Sequence, residues 1–404
     1  MSAQEAAPAT TDEDSTAPGK RPSLILLTGL AAVGPFAMNI VVPAMPALAR
    51  IFETPYGAMQ LILSAYLAAT ALIQLVLGPL SDRFGRRPVI LGSLLVYLAG
   101  TLVCAFAPTV EVLVAGRIVQ AAGACGGLVI GRAIIRDLFS REKAASWMGY
   151  VTMAMVIAPM LAPLAGGYLF DAFGWQAMFW LSAGLGVAIL AAALPHLHET
   201  RRRDAAANGG LSWGAVLALV RDRCFCGYVI VISFASAMFF TFLGGAAYVV
   251  TEVFGRPASE FGTYFIVSAV GYMIGNFLSG RFAERFGPQR MISLGLVFAV
   301  LGLTLLWALS GIPHTAALFL PMTVLAVSNG LTLPSATASA VSIRPELAGT
   351  AAGLAGSLQI GVGALGAFAV GLMQEGAMSA VPMMVIMTLG GAISAVGFVM
   401  TRRG

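Results

Sequence analysis

Twelve membrane-spanning helices in two pseudo-symmetric bundles of six, an all-α membrane protein, is the fold class the sequence predicts. Three observations predict it. Hydrophobic residues fill 58% of the 404 positions and charged residues only 10%, where a soluble domain carries roughly 25% charged. The mean hydropathy of +0.88 agrees, and lipid is the solvent that such a surface needs. Apolar runs of spanning length recur along the chain, six before a polar stretch and six after it. Finally, Gly78-Pro79-Leu80-Ser81-Asp82-Arg83-Phe84-Gly85 returns as Gly280-Arg281-Phe282-Ala283-Glu284-Arg285-Phe286-Gly287, an offset of 202 residues in a chain of 404. Self-similarity over half the length marks duplicated halves.

The elements follow in order. Residues 1–23 are polar, with Asp12, Glu13 and Asp14, and read as a disordered segment. Ala47-Leu48-Ala49 imitates a signal cleavage site, but the run before it is about twice too long for a signal core and holds Pro35 and Pro43; it reads as an uncleaved first span. Runs near 24–45, 57–80, 89–107, 111–133, 145–170 and 176–195 make an N-terminal bundle over 24–195. A linker over 196–224 contains Arg201-Arg202-Arg203 and Asn208-Gly209-Gly210. Runs near 225–251, 260–280, 290–310, 315–341, 347–372 and 379–400 make the second bundle, over 225–401.

Charge placement orients the spans. With the N-terminus inside, all 23 Lys and Arg fall in inside segments except Arg50, Arg256 and Arg117. Positive residues concentrate on the cytoplasmic side, so both termini are expected in the cytoplasm, with the chain in a bacterial inner membrane. The net charge of +5 comes without any basic stretch interleaved with aromatics, which argues against nucleic acid. Cys104, Cys125, Cys224 and Cys226 suggest neither a disulfide framework nor a metal site. There is no zinc helix motif, nucleophile elbow or nucleotide-binding loop, and His196, His198 and His314 all lie near span ends. A membrane-embedded enzyme is therefore a remote alternative, and any pumping must draw on an ion gradient or a partner; no cofactor is expected.

Four groups of residues carry the functional reading. Gly78, Asp82, Arg83, Gly85, Arg86 and Arg87 form a glycine-hinged, charged loop after the second span, echoed by Glu284, Arg285 and Gly287 after the eighth. Glycines permit the tight turn and the arginines sit at the lipid surface. Such a cluster can latch two halves together; an ordinary basic loop is the plainer alternative. The second group is Arg117 with Gln120 in the fourth span. A charge at that depth normally faces an interior cavity, unless it snorkels outward beside Glu111, about 9 Å away along the helix. The third is Pro159, Pro163, Gly166 and Gly167 in the fifth span, where prolines bend the helix and glycines admit a neighbour. Glycine rows at Gly123, Gly127 and Gly131, at Gly271 and Gly275, and at Gly349, Gly353 and Gly356 read as helix contacts.

The first three groups resemble motifs of the major facilitator superfamily: the loop between spans two and three, the fourth-span motif of proton-coupled members, and the antiporter motif, here with Ala162 where glycine is usual. Gln60-Leu61-Ile62-Leu63-Ser64-Ala65-Tyr66-Leu67 and Gly131-Arg132-Ala133-Ile134-Ile135-Arg136-Asp137-Leu138-Phe139 further resemble the bicyclomycin- and chloramphenicol-type (Bcr/CflA) exporters. The resemblance covers most of the N-terminal half and is thinner in the second. It implies efflux of lipophilic drugs by alternating access in exchange for protons, from a site between the halves. One residue departs from the pattern. Where the family usually has a first-span aspartate, this chain has Asn39, which carries no proton.

The fourth group is a set of candidate lining residues at midspan depth: Phe36, Met38, Asn39, Tyr66, Gln74, Met153, Phe239, Phe240, Asn276, Asn329 and Gln359. Together they describe an apolar cavity with few polar groups, suited to neutral amphipathic drugs or metabolites. An importer or uncoupled facilitator on the same fold is the alternative that Asn39 favours. A single chain with two halves of its own is expected to work as a monomer in the bilayer.

Overall fold

The computed structural model describes residues 22–139, 141–200 and 213–402, with some side chains between 141 and 156 left undescribed. The expected disordered segment over 1–23 falls, except for 22 and 23, outside the described residues. The described residues contain helices, turns and short connections, and no strand.

Twelve long helices follow one another. They are α1 (Leu24–Asn39), α2 (Leu61–Phe84), α3 (Arg86–Ala105), α4 (Val110–Leu138), α5 (Arg141–Phe173), α6 (Gln176–His196), α7 (Arg223–Tyr248), α8 (Ala258–Phe286), α9 (Pro288–Ala308), α10 (Thr315–Ser342), α11 (Ala348–Gln374) and α12 (Val381–Thr401). Eleven of these, some with their flanking turns, are long and apolar enough to cross a membrane; α5 is continuous over 33 residues, with a described apolar stretch over Ile157–Phe173. The chain is an integral, multi-pass membrane protein.

Local chemistry sets the helix ends. Ser23 accepts from the Leu26 amide at 3.2 Å, and Asp222 accepts from those of Cys224 and Phe225 at 2.9 and 3.1 Å. Each satisfies amides that have no partner within the helix. The first span is less regular than its hydropathy suggests. It leaves the α-helix after Asn39, passes through a 3-10 turn at Val42–Ala44, and resumes at Met45–Ile51. Pro43 and Pro46 lack the amide hydrogens a continuous helix would need. The linker also differs from expectation. The sequence predicts a polar stretch there, yet Trp213–Val220 is helical and packs on α7 and α11. Its sequence, Trp-Gly-Ala-Val-Leu-Ala-Leu-Val, is short and apolar, a patch too brief to register against the surrounding charges.

Two bundles result. In the first, α1 packs on α4, α5 and α6, and α3 on α4 and α6; in the second, α7 packs on α10, α11 and α12, and α9 on α10. The bundles meet along α5 against α8 and α2 against α11. The repeat is structural as well as sequential. Tyr56–Phe84 and Ala258–Phe286 are both 29 residues long, and the glycine ending each copy has nearly the same backbone: Gly85 at φ 101°, ψ 153° and Gly287 at φ 82°, ψ 154°.

The glycine rows divide. A Cβ on Gly123 or Gly127 would overlap the backbone of Tyr97 or Leu30, and one on Gly271 or Gly275 would overlap α10 carbonyls, so these rows are close helix contacts. Gly131 and Gly349 face open space, and Gly353 and Gly356 meet α2 only at 4.0 and 3.9 Å. The expectation of close packing fails at all four, and at Gly353 and Gly356 this is because the α2–α11 seam is loose along that stretch.

The arginine-rich α2–α3 loop lies at the same end of the bundles as the start of α1 and the end of α12; we call it the basic end. At the opposite, far end the bundles are joined by several contacts. Arg50 pairs with Glu252 at 3.2 Å. The Tyr56 hydroxyl donates to the Gly244 carbonyl at 2.6 Å. The Ser259 amide donates to Asp171 at 3.1 Å. Past the midpoint of α2, Gln74 donates to Ser357 at 2.9 Å. Among the described hydrogen bonds and ion pairs, none joins the bundles at the basic end. The far end is closed.

Candidate functional site

Between the bundles, at midspan depth, lies a cavity of about 280 Å3. Helices α1, α2, α4 and α5 wall it on one side and α7, α8, α10 and α11 on the other. Seven of the expected lining residues are on its wall: Met38, Asn39, Tyr66, Phe239, Phe240, Asn329 and Gln359. Three are not. Phe36 packs into the neighbouring apolar core. Gln74 is spent on the Ser357 contact across the seam. Asn276 turns back on its own helix, donating to the Tyr272 carbonyl at 2.8 Å. Depth along a span was legible in the sequence, but the rotation of the helix was not. The Met153 side chain lies outside those described. The wall also includes residues not expected from sequence, among them Thr70, Cys125, Ser236, Phe265, Ser268 and Tyr272.

Among its described lining residues the cavity has no Asp, Glu, Lys, Arg or His. Its polar groups are hydroxyls and carboxamides. Asn39 donates from Nδ2 to the Pro35 carbonyl at 2.8 Å. That bond fixes the orientation of the amide, because a carbonyl only accepts, and it leaves Oδ1 buried without a partner. Asn329 Oδ1 and Ser268 Oγ are likewise buried and unpartnered. Asn39 and Arg117 share no described hydrogen bond.

Arg117 stands just behind this wall, only 1% exposed, so the snorkelling alternative is excluded. Its Nε donates to the Ile62 carbonyl at 3.2 Å, Nη1 to that of Ala37 at 2.8 Å and Nη2 to that of Met38 at 3.3 Å. The guanidinium lies 4.3 Å over the Tyr66 ring. Nη1 also donates to Gln120 Oε1, and Gln120 donates to Thr101 at 2.9 Å. One cation thus ties α1, α2 and α4 together, and no carboxylate is paired with it among the described ion pairs. An arginine fork reaches several carbonyls at once, which a lysine ammonium cannot do in a fixed plane.

The fifth-span motif is placed at the closed end. Pro159 is on the cavity wall. A Cβ on Gly166 would overlap the Ile40 carbonyl, one on Gly167 would overlap Ala258 and Ser259 in the other bundle, and Gly262 lies against Pro163 and Leu164. Small residues here let the bundles close to backbone contact.

The charged loop is organised differently from expectation. Arg86 is buried; it pairs with Asp82, with Asp137 at 3.1 Å and with Ser81 Oγ at 2.6 Å. The Arg86 and Arg87 amides donate to the Glu199 carboxylate at 2.9 and 3.2 Å, and Arg87 Nε donates to the Leu197 carbonyl at 2.7 Å. A carboxylate at the start of α3 is favoured by the helix dipole. Asp82, Ser81 and Asp137 belong to the first bundle, and Leu197 and Glu199 to the start of the linker that folds back on it. Glu284 and Arg285 are exposed and take part in no described ion pair. In this far-end-closed state the described contacts of Arg86 and Arg87 brace the α2–α3 loop within its own half. Glu199, in the linker, was missed; a lone glutamate among arginines gave no signal of its fold-back.

The comparisons with known proteins agree with this arrangement. Residues 27–367 match the model of the Major Facilitator Superfamily. The chain is 30% identical over 369 residues to Multidrug resistance protein D of Escherichia coli K12, covering 91% of this chain and 93% of that one. It is 29% identical to the Bicyclomycin resistance protein homolog of Haemophilus influenzae, covering 85% and 87%. Among solved structures, it is similar to a bacterial homologue of the human lysosomal transporter Spinster, inward-facing and unoccupied, with a TM-score of 0.74, 17% identity and coverage of 94% and 96%; at that identity the likeness speaks to the fold alone. The fold, the buried fourth-span arginine, the glycine seam and these relatives lead to one assignment: the chain belongs to the Major Facilitator Superfamily.

Proposed function

We propose that the chain is a drug exporter, a secondary transporter rather than an enzyme, that works by alternating access. The observation that carries this reading is the charge-free cavity between the bundles, sealed at one end by contacts that must part for transport. Its aromatic and methionine wall suits neutral, amphipathic drugs, which need adaptable apolar contact and a few hydrogen bonds. The relatives named for multidrug and bicyclomycin resistance support the substrate class. The basic end faces the cytoplasm of a bacterial inner membrane, by the concentration of Lys and Arg there. The closed far end then faces outward and the molecule is poised to load from within. One chain supplies both bundles, so a monomer is the working unit.

Exchange for protons is the driving step in this reading. A second reading, an uncoupled facilitator, is favoured by one observation: the cavity wall has no described carboxylate, and Asn39 stands where the family's first-span acid would be. Purified protein in liposomes, with an imposed pH gradient and an interior pH dye, distinguishes the two. Addition of chloramphenicol and other neutral drugs is expected to move protons. Drug flux without proton movement would instead establish the facilitator, and no flux for any drug would remove the exporter reading.

A further inference from the structure

Gln60 is a polar residue in an apolar seal, and neither the cavity nor the charged loop accounts for it. It sits just before α2 at the far end, with no exposure to solvent. Neither Nε2 nor Oε1 has a hydrogen-bond partner among the described residues. Its side chain fills a notch in the other bundle made by two glycines. A Cβ on Gly244 of α7 would overlap Gln60 Nε2, and a Cβ on Gly371 of α11 would overlap Gln60 Cβ and Cγ. Alongside, the Tyr56 hydroxyl donates to the Gly244 carbonyl, so the notch is held against the first bundle.

The shape fit and the chemistry therefore oppose each other. The glycines admit the side chain closely, which favours closure. The buried amide has no described protein partner for either polar atom, which disfavours closure. Parting of the bundles at this end would return water to both polar atoms. We propose that Gln60 sets the balance between the closed and open far end, a buried amide without a protein partner that keeps closure from becoming permanent. An apolar side chain of the same length would remove the penalty and keep the fit. A methyl group on Gly371 would keep the penalty and remove the fit. The two changes shift the equilibrium in opposite directions.

The test reads the equilibrium directly and needs no substrate, so it stands apart from the drug-export reading on which only the turnover measurement rests. Spin labels on Phe173→Cys and Ile312→Cys, exposed at the far end of different bundles, report the open and closed distance populations in the full chain in nanodiscs, with Cys224 and Cys226 changed to Ser. Gln60→Met is expected to lower the open-to-closed ratio about tenfold, the scale of an unsatisfied buried amide. Gly371→Ala is expected to raise it. In liposomes Gln60→Met, with turnover normalised to the folded fraction, should lower kcat in step with the fall in open population, whereas a merely destabilised variant would regain the parent kcat after that normalisation. An open population in Gln60→Met equal to or above that of the parent overturns the proposal. Should Gln60→Met fail to insert, Gln60→Leu, which also removes both polar atoms, is read by the same rule.

Discussion

Arg117 places a full charge at midspan depth and meets it with carbonyl oxygens and an aromatic face. Removing a buried charge from such a cage leaves several carbonyls unpaired, and replacing the fork by an ammonium reaches only some of them. Arg117→Lys is therefore expected to cut drug transport by tenfold or more while the protein still inserts, measured as flux into liposomes beside a thermal melt; normal flux would reduce Arg117 to packing. The chemistry of this residue was legible in the sequence, because a lone arginine in an apolar span has few other uses. Its partners were not. Backbone carbonyls carry no sequence signature.

At the scale of single elements, the start of α3 shows how much can depend on one backbone conformation. Gly85 has φ 101° and ψ 153°, a region open almost only to glycine. A side chain there would also overlap the Glu199 carboxylate that caps the helix. Gly287 shares the conformation but has nothing within 4 Å. Gly85→Ala should thus lower the thermal midpoint more than Gly287→Ala, by the cap on top of a common strain of about 1–3 kcal/mol; equal losses would show that the cap contributes nothing. The loop signature made the turn legible. The fold-back of Glu199 was invisible because the contact spans more than a hundred residues of sequence. The same limit applies along α2 and α8. Hydropathy marked each span, but Gln74 and Asn276 turned away from the cavity because rotation about a helix axis is set by packing that hydropathy does not encode.

For the molecule as a whole, closure of the far end combines glycine contacts, two hydrogen bonds and the Arg50–Glu252 pair. The pair is 66% and 24% exposed, so solvent screens it and its worth is small. Arg50→Glu, which puts like charges together, should raise the open-to-closed ratio of the far end by about two- to fivefold, read by the same spin-label distances. Arg50→Glu with Glu252→Arg should restore the parent ratio. A double variant that stays open would show the pair has no part in closure. The two-bundle plan itself was legible from the repeat, whose 202-residue offset recurs in the ends of the helices. The direction of closure was not, since both states share one sequence.

That offset gives the ion pair a second meaning. Arg50 and Glu252 are also 202 residues apart, so each occupies in its own half the place the other occupies in its half. Two such counterparts can touch only on the axis that relates the halves. Had the halves remained identical, two arginines or two glutamates would face each other there and repel. This contact is available only to a duplicated chain whose copies have drifted apart, and it gives the fused polypeptide a bond that two separate, equal halves could never have formed.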